Sequence, residues 1–179
     1  MRNKYLYKRL DNNNFSVHSL DDFVRHQAVT ECWRRTDSDW KLVPNVYEEN
    51  WSLAQCRKMA EDVAHDISLD QTGFGAFDSE RIVGFATVSH RIFGAAARYV
   101  QLVCFQISED YRRQGIGRRL FSLACEEARR VGADKLYISA HSSKESQAAY
   151  RALGCSFAEE INEELAAAEP FDVQMEYRL

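Results

Sequence analysis

The spacing of apolar residues changes period along this chain, and the changes mark its elements. Leu20, Phe23, Val24 and Ala28 recur at helical spacing, with Asp21 and Asp22 in what would be a first turn, where the helix dipole favours acids. This predicts a first helix from Leu20 to Trp33. A second helix is expected after Ser52, a residue suited to capping, and runs to about His65. Thr36 to Trp51, rich in aromatics and acids, reads as the connection between them. Beyond Gly73 the period shortens. Phe74–Phe77 and Ile82–Val88 are short, apolar runs separated by Asp78-Ser79-Glu80-Arg81, a hairpin pattern.

Tyr99 to Ile107 is a third strand. Val100, Leu102 and Cys104 alternate with Val103, Phe105 and Ile107, so both faces are apolar and a central, doubly covered position is expected. Gly117 to Val131 returns to helical spacing through Leu120, Phe121, Ala124 and Ala128, and Gly132 supplies a stop. Leu136–Ala140 reads as a strand and Ser143–Leu153 as a helix ending at Gly154. Closing strands are expected near Ser156-Phe157-Ala158 and from Val173 to Leu179. The order predicts a single α/β domain over residues 1–179, with a mixed sheet and helices on both faces.

Composition narrows the class. The 179 residues are 45% hydrophobic and 28% charged, with two prolines and eight glycines, which fits one globular domain without a long linker. No apolar run approaches the ~20 residues that span a bilayer, and Met1-Arg2-Asn3-Lys4-Tyr5 lacks a secretory apolar core. Five scattered cysteines form no C-x-x-C pair and read as free thiols of a reducing compartment; a cytoplasmic home and no metal site are expected. The net charge of −4 argues against a nucleic-acid binder and is compatible with a cationic small substrate.

Chemistry concentrates in Gln106 to Leu120. A buried strand runs into the loop Arg112-Arg113-Gln114-Gly115-Ile116-Gly117, which opens an amphipathic helix. Free N–H groups at a helix N-terminus, glycines that admit close approach and nearby arginines together form a diphosphate cradle. A Walker A loop would carry Lys and then Ser or Thr after Gly117, where Arg118-Arg119 stand. A dinucleotide fingerprint would need glycine at Leu120 and an acid at His141. Both rivals fail on named residues.

The loop resembles the signature of the GCN5-related N-acetyltransferase (GNAT) family, Gln/Arg-x-x-Gly-x-Gly/Ala, matched here by Arg112-x-x-Gly115-x-Gly117. The preceding strand, the following helix and the segment Ser143…Tyr150-Arg151-Ala152-Leu153-Gly154 fall where that family has them. The resemblance is clear from Gly73 to Gly154. It implies a three-layer α/β/α domain whose mixed, mostly antiparallel sheet splays after the fourth strand, with acetyl-CoA as co-substrate. Phe105, Gln106 and Ile107 would offer backbone to the pantetheine arm. Arg113, Gln114, Gly115, Ile116, Gly117 and Arg118 would wrap the pyrophosphate, with Arg112 opening the motif. Tyr150 would protonate the leaving thiolate. Ser143 stands where relatives often carry an Asn touching the cofactor, and it suits a helix cap equally well.

The family's base is missing. Some relatives have a glutamate at the position of Gln101, others near Ile138 or Ser139, and neither position carries a carboxylate here. Water relayed by Gln101 or Ser139, or His141 itself, remain as options. The resemblance implies an acceptor site built from the Thr36–Trp51 region, with Asp37, Asp39, Trp40, Tyr47, Glu48, Glu49 and Trp51, and from Glu159 to Asp172. The insert before the final strand bears a looser similarity to antibiotic-modifying members, streptothricin acetyltransferases among them. The expected activity is direct acetyl transfer to the primary amine of a small molecule, with a homodimer common among such proteins. A coenzyme A-binding module without turnover is the alternative that the missing carboxylates raise.

Overall fold

The computed structural model describes residues 4–37 and 39–179; the first three residues of the N-terminal stretch read above, and Ser38 of the Thr36–Trp51 region, lie outside them. A seven-stranded sheet runs β1 (Leu6–Arg9), β4 (Gln71–Asp78), β5 (Arg81–Ser89), β6 (Tyr99–Ile107), β7 (Lys135–Ala140), β9 (Val173–Arg178) and β8 (Ser156–Phe157). Every pairing is antiparallel except β6 with β7. That parallel pair is joined only over Tyr99–Gln101 and Lys135–Tyr137, so the fourth strand of the sheet parts from the fifth for the rest of its length. The α/β class, the mostly antiparallel sheet and its splay are as the sequence and its resemblance imply.

The two faces of the sheet carry two cores, and a register shift opposite Ala76 and Phe77 interrupts the alternation of β5. Val83 and Ala86 of β5 face a cluster containing Leu120, Phe121 and Ala124 of α2 (Ile116–Arg130). Ile82 and Phe85 face the other side, against Cys56, Ala60 and Val63 of α1 (Leu53–Leu69). Gly84 permits a close approach. A Cβ there would stand 2.8 Å from Ile107 Cδ1 and 3.1 Å from Ile116 and Leu120, so its absence lets the start of α2 settle onto the sheet. The start of α1 is fixed by a reciprocal cap: Gln55 N–H donates to Ser52 Oγ, and Ser52 N–H donates to Gln55 Oε1 (2.8 Å). α3 (Lys144–Ala152) and α4 (Glu163–Ala168) complete the helices, and α4 has no counterpart among the elements that the sequence pattern predicts. No helix among the described residues is long and apolar enough to cross a membrane.

The helix expected over Leu20–Trp33 does not form. Turns reach to Asp22, and β2 (His26–Arg35) then pairs with β3 (Trp40–Asn50) in a separate hairpin. Of the residues at helical spacing, Leu20 and Phe23 are buried in the turns before β2 while Val24 and Ala28 are exposed, so the periodicity marks no single buried face; within β2 the register shifts between Val29 and Glu31. The bulge sets the buried residues Val29 and Cys32 three apart, a helical spacing produced by an irregular strand. Thr36–Trp51, expected as a connection, is mostly the second strand of that hairpin.

Candidate active site

The loop between β6 and α2 has an unusual backbone. Gly115 is the helix N-cap with φ +85°, and Arg113 is a non-glycine residue at φ +58°. Arg119 N–H is the first to bond back, to Gly115 O (3.2 Å), so the N–H groups of Ile116, Gly117 and Arg118 have no intrahelical acceptor. They form the positive end of a fifteen-residue helix. A Cβ at Gly115 would meet nothing within 4 Å, so space for an anion is open above the loop.

Side chains around the loop divide between bracing it and facing outward. Gln114 accepts from Tyr5 Oη (2.5 Å) and donates to Asp110 O (2.8 Å). Arg112 Nε donates to Ile107 O at 3.2 Å, folding back onto the strand it follows. The Ile107 carbonyl is thereby engaged, and the backbone expected to meet pantetheine narrows toward Phe105 and Gln106. The Gln106 side chain accepts from Arg25 Nε (2.9 Å).

Tyr150 of α3 packs its ring 6.0 Å from that of Phe105, on the splayed stretch of β6. Its hydroxyl makes no hydrogen bond among the described residues. Burial first, and then Cys155 and Asp172, push the phenol well above its ordinary pKa. It stays protonated through neutral pH, as a proton donor must. Ser143 takes the capping half of its two expectations. It is wholly buried, and its Oγ accepts from Ser146 N–H (3.2 Å) and from Gln27 Nε2 (2.8 Å). A hydroxyl so enclosed and engaged leaves no free face for the cofactor contact expected of it.

A cavity of about 690 Å³ opens between the hairpin and the chain entering β9. Of the acceptor residues expected from the sequence, Tyr47, Glu49 and Asp172 line it, together with Glu169 and Phe171. Asp37, Asp39, Trp40, Glu48 and Trp51 do not. Trp40 stacks on Phe157 (5.7 Å, 14°), and Trp51 packs on Phe23. Two further residues, Arg34 on the cavity wall and Arg25 just before β2, are hidden in the sequence because its spacing suggests a helix through the segment that holds both.

Polar groups connect this cavity to the cofactor strand. Arg25 Nη2 donates to Glu49 Oε2 at 2.7 Å while its Nε holds Gln106. The other Glu49 oxygen lies 3.3 Å from His141 Nε2, which is also 3.0 Å from Tyr47 Oη. His141 Nδ1 accepts from Ser143 N–H at 3.3 Å, so in the neutral ring the proton sits on Nε2. Burial lowers the His141 pKa, against an opposing pull from Glu49, and keeps the ring neutral. Arg34 is fixed by Trp33 O (2.8 Å) and Ser142 Oγ (2.6 Å), with its guanidinium over Phe171. Asp172 is raised to about 6 by burial, then by Glu169 and Glu49, with Arg34 opposing. Ser139, offered as a water relay, is tied to Gln174 Oε1 at 2.7 Å.

Comparison with known proteins places these features in context. The model of the Acetyltransferase (GNAT) family matches residues 30–155. A solved nourseothricin acetyltransferase superposes with a TM-score of 0.72 at 18% identity, covering 98% of this chain and 99% of that one. A protein from Bacillus anthracis str. Ames, described as a streptothricin acetyltransferase in complex with acetyl coenzyme A, gives 0.68 at 15% identity, covering 98% and 97%. The PaiA N-acetyltransferase from Thermoplasma acidophilum, in complex with coenzyme A, gives 0.61 at 14%, covering 98% and 99%. Identities this low establish a shared fold and nothing finer. A comparison with curated proteins finds no match.

Proposed function

The chain belongs to the acetyltransferase (GNAT) family, and we propose that it transfers an acetyl group from acetyl-CoA to the primary amine of a small cationic molecule by direct attack on the thioester. One observation carries this reading. Tyr150 stays protonated and packs against Phe105 on the splayed part of β6, the strand that leads into the α2 loop, and Gln106 of that strand is tied through Arg25 to Glu49 of a cavity that also bears Glu169 and Asp172. The uncovered N–H groups of Ile116 to Arg118 would take the diphosphate, with the Phe105–Gln106 backbone beside the pantetheine. An ammonium group would be drawn to the carboxylates and positioned near Tyr47.

The amine nitrogen attacks the acetyl carbonyl carbon, the C–S bond breaks, and the thiolate takes the Tyr150 proton. A backbone N–H of β6 at the carbonyl oxygen would stabilise the charge that develops there. Burial holds the Cys104 thiol up at about 11 and the Cys155 thiol at about 12, leaving little thiolate at neutral pH. This supports direct transfer over an acyl-cysteine route. Carboxylates absent from the strands line the cavity instead, which supports turnover over a module without it.

The test is thiol release from acetyl-CoA across a panel of amines: polyamines, aminoglycosides, streptothricin-like antibiotics, amino acids and peptides. Stimulated release by a small polycationic amine is the expected result. If acetyl-CoA binds and no amine accelerates release, the chain is a coenzyme A-binding module instead.

A further inference from the structure

We propose that Asp172 is the general base that removes the proton from the acceptor's ammonium group; this rests on the acetyltransfer reading above. A base here must line the acceptor cavity and keep an oxygen or nitrogen lone pair free. It must also release its proton again near neutral pH.

Two neighbours are ruled out by their contacts. His141 accepts Ser143 N–H on Nδ1, and its Nε2 proton lies between Tyr47 Oη and Glu49 Oε1, so neither nitrogen offers a free lone pair. Glu49 has one oxygen on the enclosed Arg25 and the other on His141, and protonating it would strand the arginine's charge. Glu169 is exposed, and its carboxylate faces solvent as well as the cavity. Arg34 is a cation, and Tyr150 is the proton donor on the far side of the reaction.

Asp172 meets each demand. It lines the cavity, is half-buried, and its carboxylate accepts no hydrogen bond among the described residues. Its place is set by the β7–β9 ladder. Ala140 pairs with Val173, so the next step of that register brings Asp172 toward His141 at the cavity wall. Asp172 N–H donates to Glu169 O (3.0 Å), which fixes the turn entering β9. The Asp172 charge also helps to raise the Tyr150 phenol, after burial and Cys155. The charged and titratable groups around it are Glu169, Glu49 and Tyr47, with Arg34, His141 and Tyr150. Two carboxylates and burial outweigh one arginine, and the Asp172 pKa of about 6 suits a base working near pH 7.

The protons balance. The ammonium gives its first proton to Asp172, which passes it to solvent. The free amine attacks, and the C–N bond forms. As the C–S bond breaks, sulfur takes the Tyr150 proton and the tyrosinate takes the second nitrogen proton. The net products are acetamide, thiol and one proton.

The experiment is the pH dependence of kcat/KM for the best amine of the panel, in wild type, Asp172→Asn, Asp172→Glu and His141→Gln. Wild type should lose activity toward acid with a limb near pH 6. Asp172→Asn should fall on the order of 10²-fold or more at neutral pH. Its residual rate should instead rise about tenfold per pH unit, as free amine becomes available. Asp172→Glu should restore part of the rate and an acid limb, and acetyl-CoA affinity should be unchanged in all three variants. If Asp172→Asn melts before assay, Asp172→Ala assayed with added formate takes its place, and rescue by formate is expected. Retention of full rate and the acid limb in Asp172→Asn overturns the assignment while leaving acetyltransfer intact. So does loss of the limb in His141→Gln alone. A wild-type chain that turns over no amine takes down both readings together.

Discussion

Arg25 and Glu49 meet at 2.7 Å, with the arginine side chain only 9% exposed and the glutamate 32%. Because the same guanidinium holds Gln106 on β6, this pair ties the acceptor cavity to the strand expected to carry the thioester. Arg25 also lies 5.8 Å from the Trp51 ring, which closes it from water on another side.

Replacing Arg25 by Met should therefore cost stability as well as function. It strands the Glu49 charge beside Glu169 and Asp172 and releases Gln106. The loss should be about 2–3 kcal/mol, below the range for fully buried pairs because Glu49 is a third exposed. Urea denaturation of the purified variant measures it. An unchanged midpoint would mean that the pair contributes nothing net.

Tyr150→Phe keeps the ring against Phe105 and removes only the donor. The prediction is a fall in kcat of about 10²-fold or more with acetyl-CoA affinity within a few-fold of wild type. The raised phenol pKa fixes the sign of the alkaline behaviour. A proton donor is competent below its pKa, so activity limited by Tyr150 should persist past the ordinary tyrosine value before declining. Stopped-flow thiol release at high pH checks this, and an alkaline limb unchanged in Tyr150→Phe would count against the role.

Two loop glycines should respond differently. Gly115→Ala puts a side chain at φ +85°, a cost of about 1–2 kcal/mol with no clash to add to it. Gly117 lies in the first turn of α2, and an added Cβ would stand 3.5 Å from Phe105 Cζ, an ordinary contact. Gly117→Ala should be neutral or stabilising by up to about 1 kcal/mol. Thermal melts separate the two. Calorimetric titration with coenzyme A should then show weaker binding for Gly115→Ala, whose methyl enters the open space above the loop, and a smaller change for Gly117→Ala, whose methyl faces Phe105.

Away from the site, Glu127 offers a pH test of stability. Its side chain, 5% exposed, accepts from Thr72 Oγ1 (2.6 Å) and from Arg130 through both oxygens (2.7 Å each), with His90 at 3.1 Å. Its pKa is lowered to about 2, first by Arg130 and against a desolvation penalty. A depressed folded-state pKa gives stability that is present above the unfolded value, near 4.5, and lost as pH falls toward 2. The contribution is on the order of 3 kcal/mol at neutral pH. Glu127→Gln should be less stable than wild type at pH 7, and the gap should narrow steadily below pH 4. A gap independent of pH would show that the loss is one of packing.

The candidate site is only partly legible in the sequence. Tyr150 and the Arg112–Gly117 loop stand out because each belongs to a short segment whose geometry is local. Ser143 is ambiguous there for a reason the fold resolves: a serine before a helix caps it, and here burial encloses the hydroxyl entirely. The proposed base is invisible because Gln101 and Ser139 stand where the family resemblance implies a carboxylate. Asp172 gives no local signal at all, since a lone acid before a closing strand is ordinary in sequence.

By itself the sequence determined the glycine-bearing loop after β6, the helix behind it, the hairpin of β4 and β5, and the family to which they belong. Each of these depends on residues within about one turn or one strand of one another. Tertiary structure alone decided the cavity proposed to take the acceptor. Arg34, Glu49, His141 and Asp172 come from four separate segments, joined through the β2–β3 hairpin and a ladder between β7 and β9. The raised pKa of Asp172 arises first from lost solvent, then from Glu169 three residues before it and from Glu49, more than a hundred residues away in the chain. Such an environment exists only once the chain has folded.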